Sequence, residues 1–221
     1  MEDIKEVNLD FQRENRTGLA EAVFCAGKSQ AQLETICQTV IDAGRPMLFT
    51  RLAPDAYQLL EQRFPGVLGY DPTSRTAFHL PHEPGSRSSV SVAIVTGGSS
   101  DLPVAREASR TLTFYGHRVL EIHDVGVAGL WRITERLDEL RTCKIIICVA
   151  GMDAALPTVL GGLVPAVLIA VPTSVGYGMV KGGETALRSL LVSCAPGLTV
   201  TNIDNGYGAA CAAIRVINNI A

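Results

Sequence analysis

The sequence is poor in aromatic rings, in clustered basic residues and in paired cysteines. Aromatic residues make up only 5% of its 221 positions, with a single tryptophan, Trp131. Its core must therefore be built from Val, Ile, Leu and Ala, which suits buried parallel strands covered by helices. The net charge is −3 and no long Lys/Arg run occurs. That argues against nucleic-acid binding, which leaves a basic footprint. The opening MEDIKEVNLD has no basic stretch followed by an apolar core, so no signal peptide is read. Cys25, Cys37, Cys143, Cys148, Cys194 and Cys211 form no C-x-x-C pair and follow no zinc spacing. They read as reduced thiols in the cytoplasm. Residues 154–180 lack any charge, a length that would suit a membrane helix. Pro157, Pro165 and Pro172, with Gly161, Gly162, Gly176 and Gly178, break that stretch into short helix, turn, buried strand and loop, so no membrane span is expected. Internal repeats and low-complexity segments are also lacking.

What the sequence does have is hydrophobic mass, 47% of residues, arranged in alternation. Residues 1–80 read as a small N-terminal α/β domain. Ser29 is placed to cap a helix over AQLETICQTVIDA that Gly44 ends; PMLFTR reads as a strand and PDAYQLLEQRF as a second helix. The stretch 71–89 is rich in Pro, Ser, His and Gly and reads as connecting chain, with the linker proper at 81–89. Across 90–221 five apolar runs (SVAIVT, HRVLEIHD, CKIIICVAG, PAVLIAVP and LTVTNI) alternate with helical segments, one of them GLWRITERLDELRT and another GETALRSLLVSC. Continuous rather than alternating apolar runs imply sheets covered on both faces. The expectation is a three-layer α/β/α sandwich with a parallel, flavodoxin-like sheet. Ligands of such sheets bind at the carboxyl ends of the strands.

Six turns fall at those ends. Gly97-Gly98-Ser99-Ser100-Asp101 offers backbone N–H groups, hydroxyls and a helix N-terminus to an anion, with Asp101 capping the helix or binding a ribose hydroxyl; an ordinary capped turn reads equally well. Asp124-Val125-Gly126 adds a carboxylate and a close-approach backbone, or is a plain glycine turn. In Gly151-Met152-Asp153-Ala154, Asp153 is a lone carboxylate among apolar neighbours, where desolvation would raise its pKa and make it a proton acceptor; the alternative is a helix cap. Ser174-Val175-Gly176-Tyr177-Gly178 is a small-residue loop able to close over a ligand, or a plain connection. Cys194 shares an apolar helical face with Leu187, Leu190 and Leu191, so the residues alone read it as a buried structural cysteine. Asp204-Asn205-Gly206 could read a sugar, meet a neighbouring subunit, or cap the last helix. Six such turns on one edge point to a nucleotide-sized polar ligand without naming a reaction.

Taken in order, GGSSDLPVA, DVGVAGL, VAGMDAALP, VPTSVGYG, SCAPG and NIDNGYGA resemble the LarB family of pyridinium-3,5-biscarboxylic acid mononucleotide synthases, across residues 90–221. Asp10, Arg13, Arg16 and Gly18 in LDFQRENRTG look like that family's N-terminal signature. The later region also resembles aminoimidazole ribonucleotide carboxylases. Those purine enzymes carry Ser-Ala-His-Arg after their second core strand, where this chain has His123-Asp124-Val125-Gly126.

The LarB resemblance implies a chemistry: carboxylation of the pyridinium ring of nicotinic acid adenine dinucleotide at C5 and hydrolysis of its phosphoanhydride, toward nickel-pincer nucleotide, with CO2 or bicarbonate as co-substrate. It implies Cys194 as the nucleophile adding to C4 and Asp153, where the family has Glu, as the base that removes the C5 proton. Gly97, Gly98, Ser99, Ser100, Asp101, Asp124, Gly126, Gly151, Ser174, Gly176 and Gly178 would hold the substrate. No tightly bound cofactor is implied; Mg2+ could assist the hydrolysis, and no metal ligands are assigned. A homo-octamer with sites at subunit contacts is implied as well. Trp131 stands where the family has His. A purine-type mutase and a non-catalytic nucleotide sensor are the alternatives, the latter favoured by Asp in place of Glu at 153.

Overall fold

The computed structural model describes residues 6–86 and 91–220. The chain divides into two compact units, Met1–Glu83 and Pro84–Ala221. Residues 87–89 of the expected linker lie outside the described residues.

In the first unit the short helix α1 (Arg13–Thr17) ends on Gly18, whose φ of 71° supplies the left-handed turn. Asp10 and Arg16 of the expected signature pair with each other there, and Arg13 donates its N–H to the Asp10 carbonyl. Strand β1 (Ala22–Phe24) leads into α2 (Gln30–Ala43), then β2 (Met47–Thr50), α3 (Pro54–Arg63), β3 (Gly69–Asp71) and β4 (Thr76–His79). Helix α2 begins and ends as its sequence dictates. Ser29 Oγ accepts from Gln32 N and Gln32 Oε1 from Ser29 N, a capping box, while Gly44 closes the helix in the left-handed region. Its Leu33, Ile36, Cys37 and Val40, spaced i, i+3, i+4 and i+7, are buried against Phe49, Leu52 and Leu60. The sheet order is β1-β2-β4-β3, parallel at β1/β2 and antiparallel elsewhere. This corrects the reading of 71–80 as connecting chain. Asp71 and Ser74 close a tight hairpin through Ser74 N and Oγ donating to Asp71 Oδ1, and Thr76–Phe78 are buried in the sheet. Three- and four-residue strands lack the length over which a period can be recognised.

In the second unit β5 (Val92–Thr96), α4 (Leu102–Phe114), β6 (Val119–Ile122), α5 (Leu130–Thr134), α6 (Leu137–Thr142), β7 (Ile145–Ala150), α7 (Ala155–Gly161), β8 (Val167–Pro172), α8 (Glu184–Leu191), β9 (Thr199–Val200) and α9 (Gly206–Ile220) follow in turn. The five strands are all parallel in the order β6-β5-β7-β8-β9. That is the 2-1-3-4-5 order of a flavodoxin-like sheet. Every residue of β5 and β7 is buried, as the continuous apolar runs require. Helices α4 and α9 cover one face. They meet closely at Gly206, where a Cβ would stand 2.2 Å from the Val104 carbonyl oxygen. The other face packs Ala93, Val95, Ile146, Cys148 and Leu168 against Ile133 of α5, Leu140 of α6 and Leu156 and Leu160 of α7, with Ala186 and Leu190 of α8 beside Ala170. The segment read as one helix over 129–142 is broken at Glu135-Arg136. There Thr134 Oγ1 donates back to the Trp131 carbonyl, and Arg136 forks onto Glu139 of the next helix. No helix among the described residues is long and apolar enough to cross a membrane.

Candidate functional site

Between β5 and β7 the chain order of the sheet reverses, and the loops leaving those strands turn to opposite faces. A cleft of about 360 Å3 opens at this point. Gly97, Gly98, Ser99, Ser100 and Asp101 form one wall, Gly151, Met152, Asp153 and Ala154 another, and Asp124, Gly126, Val127 and Ala128 a third. This is where doubly wound sheets bind ligands.

The walls stand close because side chains are missing where they meet. A Cβ on Gly126 would lie 2.7 Å from the Gly97 carbonyl oxygen, and one on Gly151 would lie 2.5 Å from the Val175 carbonyl oxygen. Asp124, Met152, Ala154 and Asp204 hold φ between 50° and 57°. Non-glycine residues pay for that conformation, and such strain gathers at functional sites. Each is held by contacts: Asp124 N donates to Thr96 Oγ1 at 3.0 Å, Met152 N to the Val175 carbonyl at 2.9 Å, Ala154 N to the Gly151 carbonyl at 2.8 Å, and Asp204 N to the Pro172 carbonyl at 2.9 Å.

Asp101 sits at the floor, 3% exposed. Its Oδ1 accepts from Thr173 Oγ1 at 2.6 Å and its Oδ2 from Gly98 N at 2.9 Å. Burial pushes its carboxyl above the usual carboxylate range, against the lowering pull of Thr173, Gly98 N and Gly151 N. Asp101 thus bolts together the loops after β5, β7 and β8. Its oxygens are engaged by protein rather than held out for a ribose, as its sequence position suggested. Asp204 ties the loops after β8 and β9 in the same way, accepting from Ser174 N at 2.8 Å. Asn205 caps α9 by accepting from Gly208 N at 2.8 Å.

Two expectations need correction. Asp153 lines the cleft but is exposed; the left-handed turns of Met152 and Ala154 on either side direct it outward. The desolvated carboxylate is Asp101. Cys194 is not a buried helical cysteine. Helix α8 stops at Leu191, Ser193 Oγ then accepts from Ala195 N and pairs with Thr158 Oγ1 at 2.7 Å, and Pro196 forbids further helix. Cys194 is left exposed in the turn, beside the exposed Leu191 and Val192.

Cys194 does not line the cleft. Ala155 at the start of α7 does, whereas Ala195 packs against Gly161 at the end of that helix. Six helical residues separate those ends, roughly 9 Å, so thiol and cleft face different ends of the sheet within one chain. Of the loop after β8, only Val175 reaches the cleft; Ser174, Gly176 and Gly178 lie outside it. Among the described residues no three of His, Cys, Asp and Glu gather as a metal site. With Asp101 bonded on both oxygens, the three cleft carboxylates do not form a ligand set for a resident Mg2+.

Sequence reasoning missed Thr96 and gave Thr173 no role of its own within the loop after β8; both are fully buried at strand ends. A lone threonine closing an otherwise apolar strand is the signal that could have found them. It also missed Arg132, which donates Nη1–H to the Asp124 carbonyl at 3.2 Å.

Comparison with known proteins agrees with this architecture. Residues 1–80 match the LarB/PurE-like N-terminal domain, and residues 91–220 match the AIR carboxylase family. An uncharacterised protein of Methanocaldococcus jannaschii is 35% identical over 94% of this chain and 83% of its own length. N5-carboxyaminoimidazole ribonucleotide mutases of M. jannaschii and Pyrococcus abyssi are 30% and 32% identical over 57% and 58% of this chain, and 78% and 73% of theirs. The crystal structure of Treponema denticola PurE superposes with a TM-score of 0.51 at 21% identity, covering 59% of this chain and 82% of that one.

Proposed function

Since the chain belongs to the LarB family, its second unit a carboxylase-type domain related to AIR carboxylase, we propose that it carboxylates C5 of the pyridinium ring of nicotinic acid adenine dinucleotide and hydrolyses the phosphoanhydride. The products are pyridinium-3,5-biscarboxylic acid mononucleotide and AMP, for a nickel-pincer nucleotide made in the cytoplasm.

The carrying observation is the cleft at the reversal of strand order. It is walled by the GGSSD and GMDA turns, with backbone N–H groups and hydroxyls for phosphates and the exposed Asp153 at its rim. The thiolate of Cys194 adds to C4, and the displaced π pair moves to the ring nitrogen. The dihydropyridine is an enamine, so C5 attacks CO2 and forms the new C–C bond. Asp153 takes the C5 proton. The ring then expels the thiolate and regains aromaticity, so one proton is released per carboxylate gained and no oxidant is needed. Water attacks the phosphoanhydride held by the Gly97–Ser100 turn.

Because Cys194 and Asp153 face different ends of one chain's sheet, the reading places Cys194 in the cleft of a neighbouring copy within a homo-octamer. The exposed Leu191 and Val192 beside it supply apolar surface for that contact. Mutase relatives favour a second reading, turnover of aminoimidazole ribonucleotide. Against it, residues 123–126 offer no His-Arg pair where those enzymes carry one.

Incubation of the protein with nicotinic acid adenine dinucleotide and bicarbonate, with mass spectrometry of the small molecules, tests the proposal. A gain of one carboxylate together with release of AMP supports it; turnover of aminoimidazole ribonucleotide alone replaces it with the second reading.

A further inference from the structure

The ionisable residues lining the cleft are all carboxylates, Asp101, Asp124 and Asp153. A dinucleotide carries its own negative charges into that cleft, so a cation is needed beside it. Arg132 stands just outside that lining, gripping its member Asp124, and is held from three sides. Its Nη1 donates to the Asp124 carbonyl at 3.2 Å and lies 3.5 Å from Asp124 Oδ2. Its guanidinium carbon stands 5.7 Å from the centre of the Trp131 ring. Gly129 leaves the floor open, since a Cβ there would come within 3.1 Å of Arg132 Nε. The hydrogen bonds of Arg132 among the described residues use Nη1 alone, which leaves Nε–H and Nη2–H as a fork. Asp124, which Arg132 grips, is itself in the left-handed region.

We infer that Arg132 is the phosphate-reading residue of the cleft, and that the Asp124 carboxylate is a placeholder which the substrate's phosphate replaces on the guanidinium. The inference deepens the reading above, on which it rests for the identity of the ligand. It assigns Arg132 to binding rather than to bond-making, with Gly129 and Trp131 fixing its plane.

Trp131 is the only tryptophan of the chain, so its fluorescence reports on this corner directly. Titrating the full chain with AMP and with adenosine separates phosphate from base. The wild type is expected to bind AMP roughly 10- to 100-fold more tightly than adenosine, the range of one charged hydrogen-bonded contact. Arg132→Ala should remove that preference and leave adenosine binding as it was, and Arg132→Lys should keep part of it. Asp124→Asn should tighten AMP about two- to fivefold by freeing the guanidinium. A role confined to holding α5 in place would make both variants weaken AMP. That outcome, or a preference for AMP that survives Arg132→Ala, overturns the inference. If AMP discrimination depends on Arg132 while no carboxylated product forms from the dinucleotide, the inference stands and the reaction assignment falls. If product forms with an unchanged KM in Arg132→Ala, the assignment stands and the inference falls.

Discussion

Both units bury cysteines, but only the second leaves one exposed. In the first, Cys25 and Cys37 are buried in the core between sheet and helix, and burial pushes both thiols up to about 12. In the second, Cys148 is driven higher still by burial inside β7, yet Cys194 stands exposed in a turn. A core thiol is held in its unreactive form by the same packing that makes it useful for stability. A thiol meant for addition to a ring must be left out of that packing. Sheet design differs too. The mixed four-stranded sheet sends its connections to both ends, whereas five parallel strands bring every outgoing loop to one edge, where a ligand can touch several at once.

The contrast can be broken most sharply at Cys194. Cys194→Ala should abolish carboxylation, on the order of 10³-fold or more, with an unchanged thermal midpoint, because the side chain packs against no core. Timed alkylation of the folded protein should modify Cys194 well before Cys25, Cys37 and Cys148; equal labelling of all four would erase the distinction. Next comes Asp153→Asn, expected to slow product formation by about 10²- to 10⁴-fold while substrate binding persists. Joint expression of the Cys194→Ala and Asp153→Asn chains under two tags should restore part of the activity in mixed oligomers. None would return if both residues serve the same chain's site.

A cavity in the first unit should act the other way. Leu33→Ala is expected to cost about 2–5 kcal/mol by denaturant unfolding, with a turnover number per folded molecule close to wild type. A smaller effect belongs to Asp101. Its carboxyl is raised in the folded state, so between the unfolded value near 3.8 and the higher folded value the native state holds the extra proton. Stability should fall as pH rises through that window, by at most about 1.4 kcal/mol per pH unit. Asp101→Asn should remove the slope while lowering stability overall, since the carboxamide cannot accept from both Gly98 N and Thr173. A slope retained in that variant would assign the proton to another group.

The parallel sheet was legible because its central strands β5, β7 and β8 are continuous apolar runs bounded by glycine or proline turns. Helix α2 was legible because Ser29, Gln32 and Gly44 carry their signals locally. The first unit's β1, β3 and β4 were not, being too short for periodicity to register. The site was half legible. Glycines and acids at strand ends located the cleft, but burial is a tertiary property, and the sequence assigned to Asp153 the desolvation that folding gives Asp101. Cys194 was misplaced for a local reason: one serine hydroxyl bonding Ala195 N, with Pro196 behind it, ends a helix that hydrophobic spacing alone would continue.

The most direct measurement is peptide mass spectrometry of the Asp153→Asn protein after incubation with nicotinic acid adenine dinucleotide and bicarbonate. A nucleotide adduct is expected on the peptide carrying Cys194, arising only with the dinucleotide, since proton removal from C5 is what that variant lacks. Carboxylated product formed at the wild-type rate by Cys194→Ala, with no adduct on any thiol of the Asp153→Asn chain, would contradict it.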